Sequence, residues 1–269
     1  MLYRSNVKQR ASSWTLFVFI ALTIFSPALF ANSCAISQPY ESVHVARVYD
    51  GDTLKLTDGR KIRLIGINTP EHGSDGNKDE PFYQQAKNQL QQIIQKSHHQ
   101  IKMVLGSEKH DRYQRLLAHI YTMDNENITA TLIKSGMGYT IAIPPNIQRL
   151  TCYQDAEREA QNQKRGIWAH NSSRIIDVTS LKKSLNGFQR ISGTVYRVGE
   201  SRSSFWLNLN SKSKFALRIP KDDLSYFEKF HPNDLLNRHI VARGWINKTN
   251  GEQRMTIHHP AALQIQNAD

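Results

Sequence analysis

The chain has 269 residues, 39% of them hydrophobic and 22% charged, which is the make-up of a globular protein and excludes a disordered or fibrous one. Two cysteines exclude a cysteine-rich scaffold and a four-cysteine zinc site, leaving one disulfide or two free thiols. Against 23 acidic residues, 35 Lys and Arg give a net charge of +12, a balance that suits polyanionic partners: nucleic acid or an anionic membrane surface.

Arg4, Lys8 and Arg10 precede an apolar run from position 14 to 25, Ser26-Pro27 breaks it, and no acidic residue occurs before Glu41. The order basic, apolar, breaker, with the small residues Ala31 and Ser33 just before Cys34, predicts a signal peptide over 1–33 and a secreted or periplasmic mature chain. The alternative is an uncleaved leader serving as a membrane anchor, since 14–30 reaches the short end of a bilayer span. Removing the three leader charges leaves +9, so the basic bias belongs to the folded part.

Residues 44–48 and 53–57 are β-rich and joined by Asp50-Gly51, and Asp58-Gly59 then leads into a third strand over 61–67. Pro81 opens a segment with Ala86, Leu90, Ile93 and Ile94 at helical spacing. Strands are expected at 101–105 and 116–121, a short helix at 128–134 stopped by Gly136, and a longer one at 148–164 closed by Gly166. Residues 170–186 are polar and read as a linker. Beyond it, strands at 189–198, 205–209 and 215–219, a helix around 224–230, and strands at 239–246 and 255–257 follow the order of an OB-like barrel. The expected class is mainly β with helices (α+β): a first barrel over 34–169 and a second, smaller OB-like one over 187–269.

Asp50-Gly51-Asp52-Thr53 places two carboxylates on a tight turn, and Ile67-Asn68-Thr69-Pro70-Glu71 adds an oxygen-rich turn at the end of the third strand. Carboxylate, amide and backbone oxygens without thiolates suit a hard cation such as calcium. Either turn alone is weak evidence, because Asp-Gly turns are mostly structural. Arg63 between them, and Arg115 in Asp111-Arg112-Tyr113-Gln114-Arg115, strengthen the reading: guanidinium forks beside a cation are what the negative charge of phosphodiester hydrolysis requires.

These residues resemble the staphylococcal nuclease (thermonuclease) family from about residue 43 to 168: DGDT at 50–53, RLIGINTPE at 63–71, DRYQRLLAHIY at 111–121, LIKSGMG at 132–138 and AEREAQNQKRGIW at 156–168. The resemblance implies a five-stranded OB barrel with three helices and calcium-dependent cleavage of DNA and RNA, single-stranded or locally opened, to 3′-phosphate products by a monomer without a small-molecule cofactor. It implies that Asp52, Asn68 and Thr69 hold Ca2+, that Glu71 positions or deprotonates the attacking water, and that Arg63 and Arg115 clamp the phosphate. Arg112 and Tyr113 match positions that touch the terminal phosphate of the nucleotide. Two departures stand out. Asn68 occupies the place of a second calcium-binding Asp of the family, and the family's pair of base-stacking tyrosines falls near Ile141 and Ile143, neither of which is aromatic. The alternative is an envelope protein that binds nucleic acid on the same fold without cutting it.

In an exported protein Cys34 and Cys152, flanking one domain, are expected to pair, with two unpaired thiols as the alternative. His98-His99 and His258-His259 read as solvated, and Asp155, Glu157 and Glu159 as a solvent-facing charge pattern. In the C-terminal region Arg190, Arg197, Arg202, Lys212, Lys214 and Arg218 alternate with Tyr196, Phe205, Trp206 and Phe215. The pattern suits a single-strand binding face, with a stability or protein-contact module as its rival. All five motifs end by Trp168, so truncation near 186 is expected to leave a folded nuclease.

Overall fold

The computed structural model describes Met1 and residues 34–73, 76, 78–181, 185–211, 215–249 and 251–266. Apart from Met1, the expected signal peptide therefore lies outside the described residues, as do Lys212 and Lys214. Among the described residues no helix is long and apolar enough to cross a membrane.

The first barrel is built by alternation. In β1 (Glu41–Val48), β2 (Thr53–Leu56), β3 (Lys61–Leu64), β5 (Gln100–His110) and β6 (Leu116–Tyr121), every second residue points inward, and Val43, Val45, Leu54, Leu56, Ile62, Leu64, Ile101 and Met103 fill the interior. The sheet closes in the order β1-β2-β3-β6-β5, antiparallel except where β3 runs parallel to β6. The third predicted strand stops at Leu64 because Gly66 turns the chain at φ +85°, against the Tyr153 ring; the chain then resumes as the two-residue β4 (Ile67–Asn68). Its partner is β7 (Tyr139–Thr140), too short for sequence periodicity to show.

Three helices cover the barrel. α1 (Tyr83–Lys96) buries Tyr83, Ala86, Leu90 and Ile94 in one stripe, and starts at Tyr83 because Phe82 is left-handed at φ 73°. α2 (Ile128–Lys134) is capped by Asn127, whose side chain accepts from the Ala130 N–H at 2.9 Å. α3 (Leu150–Asn162) buries Cys152, Tyr153, Ala156, Glu157 and Ala160. Cys34 and Cys152 are joined in a disulfide, closing 118 residues. Such a loop contributes about 4 to 5 kcal/mol in the chain-entropy account.

The second sheet contains β8 (Ile176–Asp177), β9 (Gly187–Thr194), β10 (Arg197–Glu200), β11 (Ser204–Asn208), β12 (Phe215–Pro220), β13 (His239–Thr249), β14 (Glu252–Thr256) and β15 (Leu263–Gln266). Its order is β10-β11-β12-β14-β13-β9-β8, with β15 on β13 and a parallel β12-β14 pair. β8 falls inside the segment expected to be linker and pairs with β9. The helix expected at 224–230 is instead a 3-10 turn, Lys221–Tyr226, in a stretch bracketed by Pro220 and Pro232. Phe205, Leu207, Phe215, Leu217, Ile240 and Met255 form its core, so Phe205 and Phe215 are interior rings and not stacking surfaces. Both sheets belong to one compact unit, Asn32–Asp269.

Candidate active site

The site forms where the β1–β2 turn meets the turn after β4. Gly51 allows the approach: a Cβ there would lie 2.7 Å from the Ala86 Cβ and 2.8 Å from the Thr69 Cβ. Asp52, 2% exposed, is gripped on both carboxylate oxygens. Thr69 donates its N–H and its Oγ1–H to Oδ2, each at 2.9 Å; on Oδ1, Thr53 donates its hydroxyl at 3.1 Å and Arg63 Nε lies at 3.2 Å. One carboxylate thereby fixes the relation between two turns 17 residues apart.

Arg63 is pinned further. Its Nη1 donates to the carbonyls of Leu64 (2.8 Å) and Ile67 (2.9 Å), and among the described residues Nη2 has no partner. Arg115 repeats the arrangement: Nε donates to Asp111 Oδ2 at 2.7 Å and Nη1 to Thr53 Oγ1 at 3.4 Å, with Nη2 again unpartnered among the described residues. Thr53 thus links Asp52 to Arg115. The 111–115 turn also carries Tyr113, 64% exposed, with the guanidinium of Arg112 4.7 Å and that of Arg115 5.5 Å from its ring centroid.

Negative charge accumulates on the other side. Burial, and next the Asp52 charge, push the Asp50 carboxyl up to about 6. Glu71 stands at the rim on an exposed residue, and its carboxyl is pushed up to about 7 by desolvation and by the Asp52 and Asp50 charges, against the pull of Arg63. Asn68 is 3% exposed, and its Oδ1 is buried with no hydrogen-bond partner among the described residues. A buried amide oxygen without a partner, one residue before the Thr69 that grips Asp52, is a donor of the kind a hard cation takes, so Asp52, Asn68 and Thr69 are chemically suited to one. Among the described residues no cluster of three or more His, Cys, Asp and Glu is arranged to hold a metal.

Glu157 corrects the sequence reading. It is 5% exposed, not solvent-facing; its Oε1 accepts from the Thr140 N–H at 2.8 Å, and its Oε2 pairs with Arg243 Nη1 of β13 at 2.7 Å. The spacing held the signal: Glu157 is four residues after Tyr153 and three before Ala160, both on the buried stripe of α3. By contrast Asp155 pairs with Arg158 at the surface, and Glu159 with Lys134 at 3.0 Å. Beside Glu157, Tyr139 stacks on Phe188 (5.1 Å) and meets Trp168 edge-on (5.3 Å), and Phe188 meets Trp245 (5.1 Å). Ile141 and Ile143 line a cavity of about 180 Å³ with Phe188 and Trp245, so rings of the second sheet stand beside the loop that lacks them. His98 and His99 are exposed, whereas His258 Nδ1 lies 2.8 Å from Asp223 Oδ2 and His259 accepts from the Ala261 N–H.

A closed five-stranded barrel with three helices, presenting an acidic turn, an orphaned amide oxygen and two half-committed arginines at one edge, defines a mixed α+β protein of OB type with a charged surface site. The chain belongs to the staphylococcal nuclease family: the family model described as staphylococcal nuclease homologue matches residues 61–170. It is similar to a thermonuclease of Staphylococcus intermedius, 31% identical over 131 residues, 48% of this chain and 76% of that protein. It is also similar to two proteins of Bacillus subtilis (strain 168), the SPbeta prophage-derived endonuclease YokF and the endonuclease YncB. These are 29% and 28% identical over 48% of this chain, and the matches cover 44% and 62% of their lengths, under two thirds in each case.

Proposed function

We propose that the protein is an exported, calcium-dependent nuclease that hydrolyses phosphodiester bonds of DNA and RNA and leaves 3′-phosphate ends. The observation that supports this reading is the linkage of Asp52, Thr69, Arg63 and Arg115, with Glu71 close enough to feel the Asp52 and Arg63 charges and Asn68 next to Thr69 in the chain, in a family whose relatives are named thermonuclease and endonuclease. Asp52, the Asn68 amide oxygen and the Thr69 backbone would hold the calcium ion, which when bound supplies positive charge to the phosphate and to the attacking water. Glu71 accepts or orients the proton of that water as its oxygen attacks phosphorus and the P–O5′ bond breaks. The unpartnered Nη2 groups of Arg63 and Arg115 donate to phosphate oxygens that gain charge, while their other nitrogens keep both forks in place. Arg112 and Tyr113, on the same turn as Arg115, bind the terminal phosphate.

The disulfide supports an oxidising compartment, as export over a 1–33 leader requires. We assign a nuclease domain to 34–169, a connecting segment to 170–186 and an OB-like domain to 187–269. Support for the last comes from connectivity: strands joined first to second, second to third, third parallel to fifth and fifth to fourth occur in both sheets.

The test is incubation of the mature protein with plasmid DNA and with RNA, in calcium and in chelator, followed by end-group analysis. Cleavage of both substrates in calcium alone is expected. Full activity in chelator, or none at millimolar calcium, overturns the cation assignment.

A further inference from the structure

We infer that the outer face of β10, β11, β12 and β14 is a second nucleic-acid site, separate from the cleavage centre, that takes single strands by stacking a base on Trp206. The strands alternate, so with Phe205, Leu207, Phe215, Leu217 and Met255 turned into the core, Trp206, Arg218 and Arg254 stand on the outside. Register sets them side by side. One row reads Gly199, Trp206, Arg218, Thr256, and the next Arg197, Asn208, Ala216, Arg254.

The Trp206 ring is half-buried, and its neighbour in the row on β10 is a glycine. Gly199 has no side chain to cover the flank of Trp206: a Cβ there would come no nearer than 3.9 Å to the Trp206 Cβ. The Arg254 guanidinium lies 4.9 Å from the Trp206 ring centroid, and Trp206 Nε1 donates to Ser201 Oγ at 3.2 Å, which fixes the plane of the indole. Arg218 donates from Nε to Ser204 Oγ at 2.8 Å, holding its fork beside the ring. Arg197 is exposed on β10 and Arg202 on the loop between β10 and β11. Among the described residues Glu252, paired with Arg254 at 2.8 Å, is the acidic residue bonded into this group, so positive charge prevails there.

Fixed guanidinium groups around a held indole are the combination that single strands require, because a base must be unstacked from its own partner to reach the ring while the backbone passes over positive charge. A duplex offers its phosphates but keeps its bases paired. The face also continues into the first barrel's neighbourhood: Thr256 of this row lines the cavity formed by Ile141, Ile143 and Trp245. Binding at this face is independent of cleavage at the other.

The test uses the full chain in chelator with a fluorescent oligothymidylate of about 20 nucleotides, longer than one site, and a duplex of matched length. Trp206→Ala is expected to weaken single-strand binding at least about tenfold, with Trp206→Phe retaining most of it. Arg218→Gln with Arg254→Gln should lower the salt slope by about 0.7 for each phosphate no longer neutralised, whereas Lys96→Gln on α1, removing one charge elsewhere, should leave it unchanged. The arginine pair keeps the test decisive if Trp206→Ala folds poorly. Unchanged single-strand affinity and slope in these variants overturns the inference, and so does an equal loss for the duplex. A protein that binds in this way but fails to cut would reject the nuclease reading and leave this one intact.

Discussion

Asp52 carries more of the site's order than any other side chain, because its two oxygens hold Thr53, Arg63 and both donors of Thr69. Arg63→Lys should therefore be nearly as harmful as Arg63→Ala, with kcat/KM lower by about 100-fold or more in both, since an ammonium cannot span Asp52 and two carbonyls and still keep a nitrogen for the phosphate. Cleavage of single-stranded DNA by both variants checks this, and near-normal turnover in the lysine variant would remove Arg63 from the clamp. At Asn68 the neutral amide stands where one more negative charge fits. Asn68→Asp is expected to tighten calcium binding, read by calorimetric titration, without a matching gain in rate, because the added charge also faces a polyanion. Glu71→Gln should keep calcium and nucleic-acid binding and lose most single-turnover cleavage; unimpaired cleavage would reject its role.

Between elements, β6 and α3 meet at His119 and Tyr153, whose Nδ1 and OH lie 2.7 Å apart. Desolvation, aided by the Arg149 charge, pushes His119 from 6.5 down to about 4. The unfolded chain takes up that proton first, so this stability is whole above pH 6.5 and is lost as pH falls toward about 4, by about 3 kcal/mol in all. Urea unfolding at pH 7.5 and pH 5 should show the decline, and His119→Gln should flatten it; an equally steep decline in the variant would assign it to other groups. The same scale explains β4 and β7. Two residues each have too little length to show a period, and they form because Gly66 turns the chain and Glu157 holds the Thr140 N–H.

For the whole molecule, the buried Glu157–Arg243 pair ties α3 to β13 across 86 residues and, through Thr140, backs the short sheet that carries Asn68. Arg243→Met in the intact chain leaves Glu157 buried without its cation and is expected to cost about 3 to 5 kcal/mol, measured by denaturant unfolding. Truncation at residue 186 should cost less, because Glu157 then meets water, although Tyr139 and Trp168 lose the Phe188 and Arg190 groups packed on them. A truncated chain less stable than the Arg243→Met variant would reverse that ranking. The seam thus sets a stability cost on removing the C-terminal region, and the truncated barrel is still expected to fold.

The local order of the chain was legible from its residues alone. β-rich segments joined by Asp-Gly turns marked the first barrel strands, the stripe of Ala86, Leu90 and Ile94 marked α1, and DGDT with RLIGINTPE marked the turns that meet at Asp52, because each depends on neighbours a few residues away. Tertiary structure decided what those neighbours cannot specify. It turned Phe205 and Phe215 inward and Trp206 outward, made a 3-10 turn of the segment at 221–226, and placed Arg243 against Glu157. A carboxylate on a helix is ordinarily solvated, and only the arrival of a cation from a distant strand makes its burial tolerable.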